Sequence, residues 1–134
     1  MAPSGPRYTL DEASALIPAV RAVLLQLAVE KRRLDAAVQA LTSHQGAGNG
    51  NGNGSHQAEV TRSEAALTDI GEGMKALVGH LEQMGVELRD LEQGLVDFPG
   101  WHGTDEAWLC WRLAEPAIGF WHRTDEGFAT RKPL

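Results

Sequence analysis

The sequence predicts a mainly α fold. A long antiparallel helical hairpin, coiled-coil-like, is closed by a C-terminal aromatic-rich β-hairpin in a single domain. Three observations carry this expectation. Leu67, Ile70, Met74, Leu77, Leu81, Met84, Leu88, Leu91 and Leu95 alternate in steps of three and four, the heptad spacing of a coiled-coil seam. Upstream, the stretch from Ala13 to Leu41 keeps a helical apolar stripe of its own. Seven of the eight aromatic residues lie between Phe98 and Phe128, with only Tyr8 outside. The expected segments are a first helix over 7–43, a flexible loop over 44–56, a second helix over 57–97, and a β-hairpin with its tail over 98–134.

The first helix opens on Thr9-Leu10-Asp11-Glu12, a capping box. The Thr9 hydroxyl can accept from the backbone N–H three residues on, and Glu12 can reach back to the N–H of Thr9. Apolar residues then recur at Ala13, Leu16, Val20, Val23, Leu27, Leu34, Ala37 and Leu41. Pro18 removes one donor and crowds the preceding turn, which predicts a kink there or a helix that starts closer to Pro18. Residues 44–56 alternate Gly and Asn between His44 and His56, a composition with poor helix propensity and nothing to place in a core. The two flanking histidines have no fixed geometry around them, and a metal site needs supported ligands.

In the second segment Val60 extends the seam by one heptad, while Gly71, Gly73, Gly79 and Gly85 each cost about 1 kcal/mol relative to Ala. Such a helix is held by packing, and its remaining apolar width must be covered by the C-terminal segment, a second copy of the chain, or both. Gly94 and Phe98-Pro99-Gly100 end it. Glu106–Leu113 and Ala117–Arg123 then form the β-hairpin, separated by Ala114-Glu115-Pro116. With a three-residue loop, Trp108, Cys110 and Arg112 share a face with Ile118, Phe120 and His122, and Leu109, Trp111 and Trp121 share the other.

Composition bounds the function. The chain has 134 residues, 43% of them apolar, and a formal net charge of -6. Residues 57–97 hold nine acids against three bases and account for the whole of that charge. An acidic balance argues against nucleic-acid binding, which needs a basic face to displace counterions. The one cysteine, Cys110, excludes an internal disulfide and a cysteine-rich zinc site. No uncharged apolar run approaches the ~20 residues that span a bilayer, and Met1 to Pro6 lacks the apolar core of a signal peptide. The expected location is the cytoplasm, with no membrane partner.

Several stretches together resemble a known family. At one end stand Tyr8-Thr9-Leu10-Asp11-Glu12-Ala13 and Ile17-Pro18. In the middle stand Gly85-Val86-Glu87-Leu88-Arg89-Asp90 and Gly94-Leu95-Val96-Asp97-Phe98-Pro99. At the other end stand Leu109-Cys110-Trp111-Arg112-Leu113, Glu115-Pro116, Trp121-His122, Gly127-Phe128 and Arg131-Lys132-Pro133-Leu134. The chain resembles the bacterial domain of unknown function family 2203 over nearly its whole length apart from the Gly/Asn loop. The resemblance implies the domain boundaries, a bacterial origin and a cytoplasmic location. It implies no catalytic residue.

Two function classes follow. The first is a non-enzymatic module that self-associates, as a dimer first of all, or binds a partner through its helical hairpin. The second is a divalent-metal-binding protein, with or without enzymatic activity, whose site lies where the second helix meets the β-hairpin. Glu87 and Asp90, three apart on a helix, project from one face. His122 is the natural third ligand, and Asp97 and Glu106 could complete the set. The bland alternative makes the two acids a solvated face and His122 a hydrogen-bonded residue of the hairpin. His80 lies about 10 Å along the helix from Glu87, too far to share an ion. Cys110 is expected to be a buried small apolar residue, with His122 the sole candidate to activate it as a nucleophile. The four tryptophans are expected to seat the hairpin on the helices rather than stack a cofactor. Arg123, Arg131 and Lys132 form a basic end that could dock on the acids of the second helix. There is no G-x-G-x-x-G, P-loop, H-E-x-x-H or G-x-S-x-G to support a nucleotide or hydrolase site.

Overall fold

The computed structural model describes residues 6–47 and 54–134, with side chains over 6–43 and 57–134. Two helices come first, α1 (Leu10–Ala47) and α2 (Gly54–Gln83). Five strands follow: β1 (Glu87–Asp90), β2 (Leu95–His102), β3 (Asp105–Arg112), β4 (Phe120–Arg123) and β5 (Lys132–Pro133). A 3-10 turn at Phe128–Thr130 precedes β5. The strands pair in chain order, each antiparallel to the next, as one five-stranded meander.

This overturns the mainly α expectation of a coiled-coil-like hairpin carrying only a β-hairpin. The protein is α plus β, and the difference arises at Gly85. The N–H of Val86 bonds the Leu81 carbonyl at 2.9 Å, and the N–H of Gly85 bonds that of Glu82 at 2.9 Å. With Gly85 at φ 75°, these two bonds make a Schellman stop, so α2 ends fourteen residues before the expected boundary at 97. Leu88, Leu91 and Leu95 keep the three-and-four spacing but lie on β1, in the following turn and on β2. The start of α1 is as expected. Thr9 N–H meets Glu12 Oε1 at 2.8 Å and Glu12 N–H meets Thr9 Oγ1 at 3.1 Å, closing the capping box. The helix runs through Pro18 rather than starting near it. Of the loop expected over 44–56, residues 44–47 and 54–56 are helical, and the remainder lies outside the described residues. His44 and His56 have no described side chain.

The chain divides into two compact units. One takes the chain to Gln26 together with Val78–Leu134; the other is Leu27–Leu77. In the first, α1 buries Ala13, Ile17, Val20 and Leu24 at three-and-four spacing. Alternation along β2 and β3 puts Val96, Phe98, Leu109 and Trp111 on one face of the sheet, all buried. The Arg21 guanidinium lies 5.6 Å from the Trp111 ring centroid, which places α1 on that face. Tyr8 ties the start of α1 to the sheet, with its N–H on the Pro99 carbonyl at 2.7 Å and its hydroxyl on the Met84 carbonyl at 2.7 Å. Gly100 permits this approach, since a Cβ there would stand 2.8 Å from the Tyr8 carbonyl oxygen and 2.7 Å from Leu109 Cδ1.

All of 95–100 is buried, so β2 is covered on its opposite face as well. That is the pattern of a central strand, and the second cover is the C-terminal segment around Phe128 and Arg131, described below. In the second unit only the two helices are present. Their less exposed positions, Leu27, Glu30, Leu34, Ala37 and Leu41 on α1 and Val60, Leu67, Ile70, Met74 and Leu77 on α2, follow helical spacing. By length and composition Leu10–Ser43 could cross a membrane, with an 18-residue window of mean hydropathy 1.5.

Candidate functional site

The face of the sheet opposite α1 carries chemistry. Asp97 on β2 pairs with Cys110 on β3, Cys110 pairs with Phe120 on β4, and His122 lies two residues beyond Phe120. Cross-strand partners and residues two apart share a face, so Asp97, Cys110 and His122 converge. Their relative exposures are 2%, 0% and 1%. One ligand atom from each lies within 4.8 Å of the others. The register Trp108 with His122 and Cys110 with Phe120 is the one expected for a three-residue loop.

Each member is oriented by a neighbour. Asp97 Oδ2 accepts from Arg89 Nε at 2.9 Å and meets His122 Nε2 at 2.9 Å. His122 Nδ1 donates to the Arg123 carbonyl at 2.9 Å. Both ring nitrogens therefore face acceptor oxygens, and a proton must lie between Nε2 and Oδ2. Among the described residues, Asp97 Oδ1 is buried with no hydrogen-bond partner. Arg131 covers the cluster. Its guanidinium lies 3.9 Å from the Phe120 ring centroid and 4.4 Å from that of Phe128. It pairs with Glu115 through two bonds of 3.0 and 3.2 Å, and its Nη1 is 3.8 Å from Cys110 Sγ.

Burial pushes the Cys110 thiol up to about 11, and the Asp97 charge adds to that, while the Arg131 hydrogen bond and charge oppose it. Metal-free, the sulfur is protonated at neutral pH and is not an activated nucleophile. The hydrogen bonds agree, because both nitrogens of His122 are engaged elsewhere. The sign of the pH effect follows. Between the ordinary value of 9.0 and about 11 the folded chain holds a proton that the unfolded chain releases. Stability should fall as pH rises through that window, by up to about 2–3 kcal/mol from this group. Urea titrations of wild type and Cys110→Ala at pH 8 and pH 11 should show that part of the slope missing from the variant.

The sequence-based candidates are redistributed. Glu87 and Asp90 lie on β1, opposite Asp97 and Leu95 of β2, with a register shift between Leu88 and Asp90, so the helical spacing that joined them does not apply. Glu87 is exposed, and Asp90 Oδ1 accepts from the Gln93 N–H at 3.2 Å in the β1–β2 turn. The helical premise that joined them is corrected. His122 is brought to Asp97, and Glu106 is instead exposed and paired with Arg7 at 3.0 Å. The basic end docks within its own segment: Lys132 pairs with Glu126 at 2.8 Å and Arg131 with Glu115. The role of Arg89 is not visible in the sequence reading, although the apolar–polar–apolar step Val96-Asp97-Phe98 is a signal for the strand that holds its partner.

A cavity of about 360 Å³ opens beside the cluster, lined by Arg89, Leu95, Asp97 and residues 124–128. Asp97 is the member of the cluster that lines it.

A model of the family described as Uncharacterized conserved protein (DUF2203) matches residues 7–134. No curated protein and no solved structure gives a match.

Proposed function

The chain belongs to this family of uncharacterized conserved proteins, and from that premise we propose that it binds one divalent ion of the zinc type between Asp97, Cys110 and His122. The observation that carries the reading is Asp97 Oδ1, a buried carboxylate oxygen with no hydrogen-bond partner among the described residues, set beside a thiol and an imidazole. A buried polar atom left unpaired is costly, and a cation supplies what it lacks. The donor set of thiolate, imidazole and carboxylate selects zinc or cobalt over magnesium or calcium. The outer contacts suit an ion as well: His122 Nδ1 donates to a backbone carbonyl, and Arg89 holds the second oxygen of Asp97.

Tetrahedral ligand atoms stand roughly 3.3–3.8 Å apart, so a group already within 4.8 Å needs only a small convergence. Binding would displace the Cys110 thiol proton and the one between Nε2 and Oδ2. Three protein ligands leave a fourth position, which zinc enzymes use for water or substrate. The test is a zinc titration of untagged, metal-stripped protein with elemental analysis of the product. One ion per chain is expected, and Cys110→Ala should abolish it. Full-length protein that takes up no zinc, or takes it up equally without Cys110, overturns the reading.

A second reading, self-association through the helices, is supported by Val29 and Val38, 42% and 47% exposed on α1. Light scattering should then give a mass that rises with concentration toward a dimer, and Val29→Glu should return it to that of one chain. A single-chain mass at all concentrations removes this reading.

A further inference from the structure

We infer that the cavity beside the candidate metal centre receives a small carboxylate-bearing molecule, held between the ion and Arg89. The inference rests on the metal reading and names the class of ligand for that site.

The argument begins with charge. An ion bound by Asp97, Cys110 and His122 brings two positive charges, and Arg89 adds a third. One carboxylate and one thiolate answer two of them. A single positive charge remains at the wall of a cavity large enough for a small organic molecule, about 360 Å³. The other acids near the opening are already engaged. Glu126 accepts from Lys132 Nζ at 2.8 Å and from the Arg123 N–H at 3.0 Å, and Asp125 lies 3.7 Å from Arg123.

The geometry of Arg89 gives the class. Its Nε is fixed on Asp97 Oδ2 at 2.9 Å, and its guanidinium carbon lies 5.0 Å from the Trp108 ring centroid. Two contacts hold the plane of the group. Its Nη atoms have no hydrogen-bond partner among the described residues, and the side chain is 42% exposed. A guanidinium pinned in this way presents a pre-set pair of donors, the shape that carboxylates meet with two parallel hydrogen bonds. The fourth position of the ion can take an oxygen of the same ligand, since Asp97, which would bind the ion, also lines the cavity.

The experiment loads the full-length protein with Co(II), whose thiolate charge-transfer and d–d bands report the coordination sphere. Benzoate is the probe, and benzamide is its neutral isostere. Saturable changes in the d–d bands are expected with benzoate and not with benzamide. Arg89→Gln should weaken the benzoate response about tenfold or more, the usual effect of losing a charge-assisted pair. Gly127→Val adds bulk to the wall at a position where a Cβ meets nothing within 4 Å, and it should weaken benzoate while leaving the cobalt stoichiometry intact. If cobalt binds with a thiolate band but benzoate changes nothing, or benzamide acts equally, the inference fails and the metal reading stands. An unchanged benzoate affinity in Arg89→Gln that still binds cobalt also overturns it. No thiolate band in the wild type overturns both.

Discussion

Replacing Glu115 by alanine is expected to destabilise the fold by about 3–5 kcal/mol, the usual cost of removing one member of a buried ion pair. The side chains of Glu115 and Arg131 are 14% and 12% exposed, so little water is at hand to replace a lost partner. Without Glu115, the Arg131 guanidinium remains between Phe120 and Phe128 as an unanswered charge. The substitution also removes the acceptor of the Arg112 backbone N–H, bonded to Glu115 Oε1 at 3.0 Å. The Glu115 carbonyl, which accepts from Trp111 Nε1 at 3.0 Å, is retained. Glu115→Gln keeps an acceptor for Arg112 and loses only the charge, so its cost should be the smaller of the two. Urea unfolding followed by tryptophan fluorescence measures both. A cost below about 1 kcal/mol for the alanine variant would class the pair with solvated surface bridges and show that the C-terminal cover is not anchored here.

That cover is also where the sequence was least informative. The start of α1 was legible because a capping box is a local device, complete within four residues. The β3–β4 register is an expectation conditional on a three-residue loop; the pairing of Trp108 with His122 and Cys110 with Phe120 agrees with it, although residues 113–119 lie between the two strands. The stretch 84–97 misled for a physical reason. A leucine every three or four residues satisfies a helix, yet the same residues can sit on short strands separated by a turn. The stop at Gly85 and the turn at Gly94 (φ 61°) depend on positive φ, which a glycine permits but does not announce. Treating Gly85 as a helix residue held by packing, and Gly94 as the start of the helix's end, carries the seam fourteen residues too far.

The same helical reading shaped the choice of candidate ligands. Helical geometry linked Glu87 and Asp90, and on β1 that link vanishes, whereas His122 lies against Asp97. Its partner on the sheet, Asp97, had been named only as a supplementary ligand. What distinguishes Asp97 is burial, with its side chain 3% exposed. Burial of a carboxylate comes from tertiary packing. It requires that β2 be central and covered on both faces, and neither condition can be read from the residues adjacent to Asp97.

Asp97→Ala is the second large effect, and it separates the structural role of the cluster from the metal-binding one. In metal-free protein the variant should lose about 3–5 kcal/mol, because Asp97 Oδ2 is the shared partner of Arg89 and of a fully buried His122. Arg89 recovers part of its loss from water, its side chain being 42% exposed, but His122 at 1% cannot. Asp97→Asn can keep its carbonyl oxygen at the Oδ2 position, facing both Arg89 and His122, and loses the charge, so it should lie between the alanine variant and wild type. Zinc then divides the two roles. At a free zinc concentration a thousandfold above its dissociation constant, an ion that binds only the folded chain adds about 4 kcal/mol. Wild type should gain that increment and lose it on adding a chelator. Asp97→Ala and Asp97→Asn should gain little at the same zinc concentration, since one of three protein ligands is gone. Calorimetric melting of the three proteins with and without zinc measures the set. If the alanine variant is destabilised yet keeps the full zinc increment, Asp97 is an ion-pair anchor for the sheet and not a ligand. If all three proteins ignore zinc, the unpaired Oδ1 and the raised Cys110 thiol describe a buried polar network whose work is to fix the register of β2, β3 and β4.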